Sequence, residues 1–189
     1  MNGGNDMREH KAILIELGED YIEMQKNEME KWFEHILTAQ TALEVMLAKA
    51  VPSIREPHIR EAIEKIQKSQ QHHGESAENL FSIIGRTADD RKDRILGTVI
   101  GKVEEALLSF QDFLAGAKGS WQSLHHLLLL NQQAMGAFAV GEQLGLSVGS
   151  REVADACFLI VHDKTMHQLL LQEYMLEMAP ISILYKEQV

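Results

Sequence analysis

The chain has 189 residues, of which 45% are hydrophobic and 24% are charged, a composition typical of a single domain with its own core. The formal net charge of −10 argues against binding to nucleic acid or to anionic lipid, because a polyanion is bound by a basic face. The single cysteine, Cys157, cannot form an internal disulfide, and the N-terminus lacks an apolar signal core. Both features indicate a cytoplasmic protein.

Apolar residues recur at helical spacing along the whole chain and no segment alternates with period two, so the expected fold class is all-α. A short helix over 7–17 is predicted within an N-terminal extension of residues 1–18. Two long helices follow, over about 20–50 and 58–85. The intervening "VPSIREP" separates them, because proline disfavours helix at and before its own position.

The second half of the chain predicts a shorter helix over about 91–114 and two long helices, over about 121–146 and 151–178. Ser120 is the predicted N-cap of the helix that follows it. Residues 180–189 are interpreted as a C-terminal tail. Four long helices with a shorter crossover helix correspond to a four-helix bundle with a crossover connection, here over residues 19–179.

No Asp, Glu, Lys or Arg occurs between Gly119 and Gly141, a length that can span a bilayer. Six glutamine, histidine and asparagine side chains interrupt this run, so we expect a central helix that is buried on most of its surface and no membrane span. Gly136, Gly141 and Gly145 lie within this helix, where each costs up to about 1 kcal/mol. We expect them where a neighbouring helix comes close.

Ferritin-type metal centres place Glu-x-x-His pairs on two helices, because residues three apart reach one metal from the same helix face. None of the nine histidines has Glu or Asp three residues before it. His72 and His73 are adjacent and diverge by roughly 100° around a helix, so one is expected in the core and one in solvent. Asp163 and His167 are four apart and can share a face. We therefore expect no catalytic residues in this chain.

The segment "PHIREAIEKIQKSQQHHGESAENLFSIIG" resembles the second helix of the YciE/YciF-type ferritin-like proteins. The features in common are Pro57, Ile59, Arg60, Ile63, His73, Glu75, Glu78, Phe81 and Gly85. "RILGTVIGKVEEAL" is similar to the crossover segment of that family, and "NQQAMGAFAVGEQLGLSVGSREVADA" is similar to its third helix and the start of its fourth. The resemblance covers about residues 31–178 and implies a ferritin-like fold.

The family carries a dinuclear metal centre in the bundle interior, and the departures of this chain fall on those positions. The resemblance implies that glutamates of the family are replaced by Gln40, Ser69, Asn131 and Ala134, and that the acid of the last helix lies near Asp163 or Lys164. His73 is the position that remains. Loss of these carboxylates removes both hard oxygen ligands and the negative charge that holds two cations together.

Three interpretations follow. The first is a non-catalytic ferritin-like bundle that has lost its di-iron site and acts as a structural or protein-interaction component, as a homodimer or with another protein partner. The resemblance implies a bacterial stress-response context for it. The second is a rebuilt mononuclear metal site formed by His73, Asp163 and His167. The third is an apolar ligand in the space of the former metal centre. We expect no cofactor under the first interpretation and a metal ion under the second.

Overall fold

The computed structural model describes residues 18–113 and 119–185 and contains five α-helices in that part of the chain. They are α1 (Glu19–Ala50), α2 (Pro57–Ile83), α3 (Asp89–Phe113), α4 (Ser120–Ser147) and α5 (Arg151–Ile183). No strand occurs among these described residues, so the all-α prediction is confirmed. The helix predicted over 7–17 lies outside them.

Prolines and glycines set the helix ends where the sequence predicts them. A single 3₁₀ turn at Val51–Ser53 follows α1, and Pro57 occupies the first turn of α2, where its missing amide hydrogen costs nothing. Gly85 adopts a φ of 75° after α2, and the Arg86 amide then donates to the Phe81 carbonyl over 2.8 Å. This positive φ is the backbone conformation that glycine adopts at helix C-termini.

Two predicted helix ends differ in the structure. The N-cap of α4 is Gly119, and Ser120 begins the helix. The Ser120 hydroxyl accepts a hydrogen bond from the Arg55 amide over 3.2 Å, so it joins α4 to the segment before α2. Helix α5 continues through Pro180 to Ile183. Proline removes a single donor there, and its own carbonyl still accepts from the Leu184 amide over 3.0 Å.

Four helices enclose one interior. Helix α1 packs against α2 and α4, α5 packs against α4 and α2, and α3 packs mainly against α1. Large apolar side chains that are fully buried fill this interior, among them Phe33, Ile36, Leu43, Ile59, Ile63, Leu80, Phe81, Leu124 and Phe138. Phe33 and Phe81 meet edge to face with ring centroids 5.8 Å apart, a favoured aromatic geometry.

Ion pairs join α3 and its preceding loop to α1. Arg91 pairs with Glu30 over 2.5 Å, Arg86 pairs with Glu23, and Arg94 pairs with Glu34. Among the α3 side chains that the structure describes, Ile95, Val99 and Val103 are buried and apolar. Acidic residues of α1 therefore attach α3 and the loop before it to the bundle.

Helix α4 is less enclosed than the sequence predicts. One side of it packs against α1 and α5, but Leu129, Val140 and Leu146 are 44%, 41% and 58% exposed on the other side. The uncharged run between Gly119 and Gly141 therefore does not mean that α4 is buried on all sides within one protomer. Of the helices described, none is long and apolar enough to cross a membrane.

Candidate functional site: a buried polar cluster with a lysine at its centre

Each of the four bundle helices sends a fully buried polar side chain into the interior. We call this set the interior polar cluster: Gln40 from α1, Gln70 and His73 from α2, Asn131 from α4 and Lys164 from α5, each at most 1% exposed. Burial of a polar group is costly unless it is hydrogen-bonded, so the partners of these five side chains decide what the interior can do.

Helical spacing explains why a lysine lies inside. On α5 the buried residues Cys157, Ile160, Lys164 and Leu171 follow one another at three, four and seven residues. That spacing forms a single stripe along the helix, so Lys164 occupies a core position of the bundle. Its ammonium lies 5.7 Å from the centroid of the Phe138 ring on α4, within the range of a cation–π interaction.

The side-chain amide of Gln70 is the centre of the interior polar cluster. Its Oε1 accepts from Lys164 Nζ over 2.9 Å and from Gln40 Nε2 over 3.2 Å. His73 Nδ1 lies 3.3 Å from the same oxygen. Gln40 Nε2 also donates to Oε1 of Glu44, one turn further along α1, over 2.7 Å. Neutral amides therefore form the centre of this hydrogen-bond network.

Lys164 is the charged group of this interior. Burial lowers its pKa from 10.5 to about 7, although the nearby carboxylates of Glu44 and Asp163 act in the opposite direction. Burial likewise raises the pKa of Glu44, against the hydrogen bond from Gln40 and the charge of Lys164. The Lys164 ammonium is therefore held by the neutral Gln70 oxygen, and the nearby carboxylates only partly offset the effect of burial on its pKa.

His73 lies between the interior and the surface. Its Nε2 is 3.4 Å from Oδ2 of Asp163, whose side chain is 53% exposed. Burial, with the adjacent charge of Lys164, lowers the pKa of His73 to about 4. The ring is therefore neutral at pH 7 and carries one proton. It can donate either to Asp163 or to the Gln70 oxygen, but not to both.

His167 lies at the edge of the cluster, between α5 and α2. The Gln70 side-chain amide donates to His167 Nδ1 over 3.4 Å, so the proton of the neutral ring is on Nε2, which lies 3.4 Å from the Ser69 hydroxyl. Burial followed by the Lys164 charge lowers the pKa of His167 to about 4. The His73 and His167 ring centroids are 5.9 Å apart.

Asn131 fixes α4 against α5 beside the cluster. Its Nδ2 donates to the Lys164 carbonyl over 2.9 Å and to Gln168 Oε1 over 2.8 Å. Within the interior polar cluster, Asn131 Oδ1 and Gln40 Oε1 are buried without a donor among the described residues. An unpaired buried acceptor costs about 1–3 kcal/mol, so the cluster is not fully satisfied.

The sequence predicted part of this arrangement. His73 is buried and His72 is exposed, as predicted for adjacent histidines. The structure also brings His73, Asp163 and His167 together, the three metal candidates. However, the described residues contain no group of three or more His, Cys, Asp or Glu side chains with the geometry to hold a metal ion.

The sequence did not predict three members of the site. These are Lys164 as its cation, Gln70 as the centre of its hydrogen bonds and Glu44 beside them. The available signal was the position of Lys164 in the apolar stripe of α5. The positions at which the resemblance implies lost ligands do lie inside the bundle, with Gln40, Asn131 and Ala134 fully buried. Ser69 is half-buried next to them.

Comparison with known proteins was made at the level of families, individual proteins and folds. No family model, curated protein or solved structure matches this chain. The interior polar cluster and the surface of the bundle are therefore the features from which a function can be inferred.

Proposed function

We propose that this chain is a non-catalytic, ferritin-like helical bundle that acts as a structural or protein-interaction component and has no di-iron site. The observation that supports it most is the Lys164 ammonium inside the bundle, 2.9 Å from Gln70 Oε1. Below its lowered pKa of about 7 the Lys164 side chain is positive and repels a divalent cation. At any pH the amides of Gln40 and Gln70 supply no negative charge to compensate two metal ions.

The proposal includes a cytoplasmic location, and the resemblance stated above adds a bacterial stress-response context. The bundle then needs no small-molecule chemistry, and its function lies in the surfaces that it presents. The third interpretation, an apolar ligand in the interior, is less favoured because Lys164, Gln70 and their partners make that region polar.

Metal analysis of untagged protein tests this proposal. After incubation with Fe²⁺, Mn²⁺ or Zn²⁺ and gel filtration, inductively coupled plasma mass spectrometry should find far less than one metal ion per chain. The variant Lys164→Glu should retain more metal than the wild type, because it exchanges the repelling charge for a ligand. About one tightly held ion per wild-type chain contradicts the proposal.

The second candidate function is a mononuclear metal site formed by His73, Asp163 and His167. The observation in its favour is their proximity, with His73 Nε2 3.4 Å from Asp163 Oδ2 and the two imidazole rings neutral at pH 7. Bound metal that is lost in both His73→Ala and Asp163→Ala, and kept in His72→Ala, supports this candidate instead.

A further inference from the structure

Helices α2 and α5 are the most loosely packed neighbours of the bundle. Of the four helix pairs that enclose the interior, they are the pair whose backbones approach each other least. A groove of about 370 Å³ lies between them, on one face of each helix, and its lining includes Lys65, Ile66, His167, Leu170 and Tyr174. We call this boundary between the two helices the α2–α5 seam.

Long polar contacts cross the middle of the α2–α5 seam. His167 Nε2 lies 3.4 Å from Ser69 Oγ, and His167 Nδ1 lies 3.4 Å from Gln70 Nε2. Further along the two helices, His73 Nε2 lies 3.4 Å from Asp163 Oδ2. Hydrogen bonds from nitrogen to oxygen are usually about 2.7–3.2 Å long. These three contacts therefore hold the two helices together only weakly.

Near one end of the seam, a further polar contact between the two helices lies in solvent. His58 Nε2 is 3.0 Å from Glu177 Oε1, and the two side chains are 58% and 47% exposed. A pair at this exposure contributes little to stability, because water competes for both partners. The contact between His58 and Glu177 therefore adds little resistance to the separation of α2 from α5.

The other boundary of α5, against α4, is closed by direct packing. A Cβ built on Gly145 of α4 meets the Ala154 amide nitrogen at 2.7 Å. A Cβ built on Gly141 meets Cys157 Sγ at 3.0 Å and Ile36 of α1 at 2.9 Å. Separation of α5 from α4 would open cavities in this close-packed region, which is costly. Of the two boundaries of α5, the α2–α5 seam is therefore the easier one to open.

The groups that the seam covers gain from contact with water. Lys164 and His73 are 0% and 1% exposed, and the Lys164 ammonium donates to Gln70 across the seam over 2.9 Å. Taking an ammonium out of water costs free energy that a neutral amide oxygen only partly repays. These side chains regain water when α2 moves away from α5. Their hydration therefore lowers the free energy that an opening of the seam requires.

We propose that the α2–α5 seam is a gate to the bundle interior. In this proposal α2 swings away from α5 while α1, α4 and α5 stay packed together, and the opening admits water and small solutes to Lys164 because the interior polar cluster regains water. Folded proteins open locally where buried contacts are fewest. The gate is separate from the proposed function, since it concerns the interior of the bundle and not the surfaces that bind a partner.

Thiol labelling at two matched isoleucine positions measures the gate. Ile66 lines the groove of the seam and is 2% exposed, whereas Ile36 packs against Gly141 and is 0% exposed. Ile66→Cys and Ile36→Cys, each combined with Cys157→Ala, carry the same loss of side-chain volume and a single thiol. With N-ethylmaleimide at pH 7 in native buffer, we expect Ile66→Cys to react at least tenfold faster than Ile36→Cys.

Two further measurements separate an opening from a permanent channel and from a damaged variant. Labelling through an opening accelerates in urea well below the unfolding transition, because the open form exposes more surface. Labelling through a permanent channel does not. Amide hydrogen exchange of the unmodified chain needs no substitution, and we expect buried amides of α2 to exchange at least tenfold faster than buried amides of α1.

The variant Lys164→Met tests the cause of the opening. It removes the charged group that regains water, so it should slow the labelling of Ile66→Cys at least fivefold. Lys65→Met is the matched control, because Lys65 lines the same groove with a side chain that is 71% exposed. Lys65 is in water in both forms of the seam, and its replacement should leave the labelling rate unchanged.

Four outcomes overturn the proposal. The first is equal labelling of Ile66→Cys and Ile36→Cys, and the second is fast labelling of Ile66→Cys that does not change with urea. The third is exchange of the α2 amides that is as slow as that of the α1 amides. The fourth is a labelling rate that Lys164→Met leaves unchanged. None of these results bears on metal content or on partner binding, so the proposed function survives each of them.

Discussion

Lys164 donates from Nζ to Oε1 of Gln70 over 2.9 Å, and both side chains are at most 1% exposed. A cation is thus held in the bundle interior mainly by a neutral amide. Because an amide oxygen compensates an ammonium less well than a carboxylate does, the interior polar cluster stores a free-energy cost that depends on pH. The first two predictions measure that dependence.

Stability should rise with pH above neutrality because of Lys164. Its pKa falls from 10.5 in the unfolded chain to about 7 in the fold, so between these values the unfolded chain binds more protons and folding gains as pH increases. Lys164→Met should be more stable than the wild type at pH 6 by about 1–4 kcal/mol. Lys164→Met should also lack most of the increase in stability above pH 7.

Urea unfolding at a series of pH values measures both effects, and the exposed Lys65→Met is the control. A wild-type profile that is flat above pH 7 contradicts this prediction.

Acid should destabilise the fold through His73 and His167. The pKa of each is lowered from 6.5 to about 4 by burial and by the Lys164 charge. Between these values the unfolded chain takes up the protons, so stability is lost as pH falls from 6.5 towards 4. His73→Gln should reduce this loss by on the order of 2 kcal/mol, as followed by thermal melts. The exposed His72→Gln should melt like the wild type at every pH, and an equal effect of the two variants counts against the burial argument.

Two glycine substitutions should change stability in opposite directions. A Cβ at Gly145 meets the Ala154 amide nitrogen at 2.7 Å and the Ser150 carbonyl at 3.1 Å, both of which are backbone atoms. Gly145→Ala should therefore destabilise the fold by about 1–3 kcal/mol. A Cβ at Gly97 on α3 meets nothing within 4 Å of the described structure, so Gly97→Ala should stabilise by about 0.5–1 kcal/mol. Chemical denaturation compares them directly.

The Cys157 thiol should be unreactive in the folded chain. It is fully buried, and burial, together with the charge of Glu142, raises its pKa to about 12. Since the thiolate is the nucleophile, labelling with Ellman's reagent should be slow in buffer and rapid in denaturant. Labelling in buffer that is as fast as that of an unfolded control shows instead that α5 separates readily from its neighbours.

The helices were predictable because proline, glycine and apolar spacing act locally. Pro52, Pro57 and Gly85 determine ends that the structure reproduces, and the divergence of His72 and His73 follows from helix geometry alone. The interior polar cluster was harder to predict, because a lysine in sequence indicates solvent by default. Lys164 is inside because of partners from α1, α2 and α4, and its hydrogen bond to Gln70 spans 94 residues.

The outer side of α4 was mispredicted for a related reason. An uncharged helix sequence is consistent with burial by its own chain and with burial by a partner, and composition alone does not separate them. In the structure, Gly141 and Gly145 have a neighbouring helix within the protomer and Gly136 has none among the described residues, so this side of α4 is not buried by its own chain. The distinction required the coordinates of α5.

Ionic strength should affect the attachment of α3 to α1 more than it affects the bundle interior, because arginine ion pairs hold α3. The Glu30 and Arg91 side chains are 18% and 26% exposed, and Arg94 is 64% exposed, so dissolved salt reaches and weakens these pairs. The bundle interior depends on apolar packing that salt does not weaken. We therefore expect added salt to raise the rate of amide hydrogen exchange in α3 more than in the helices of the four-helix interior.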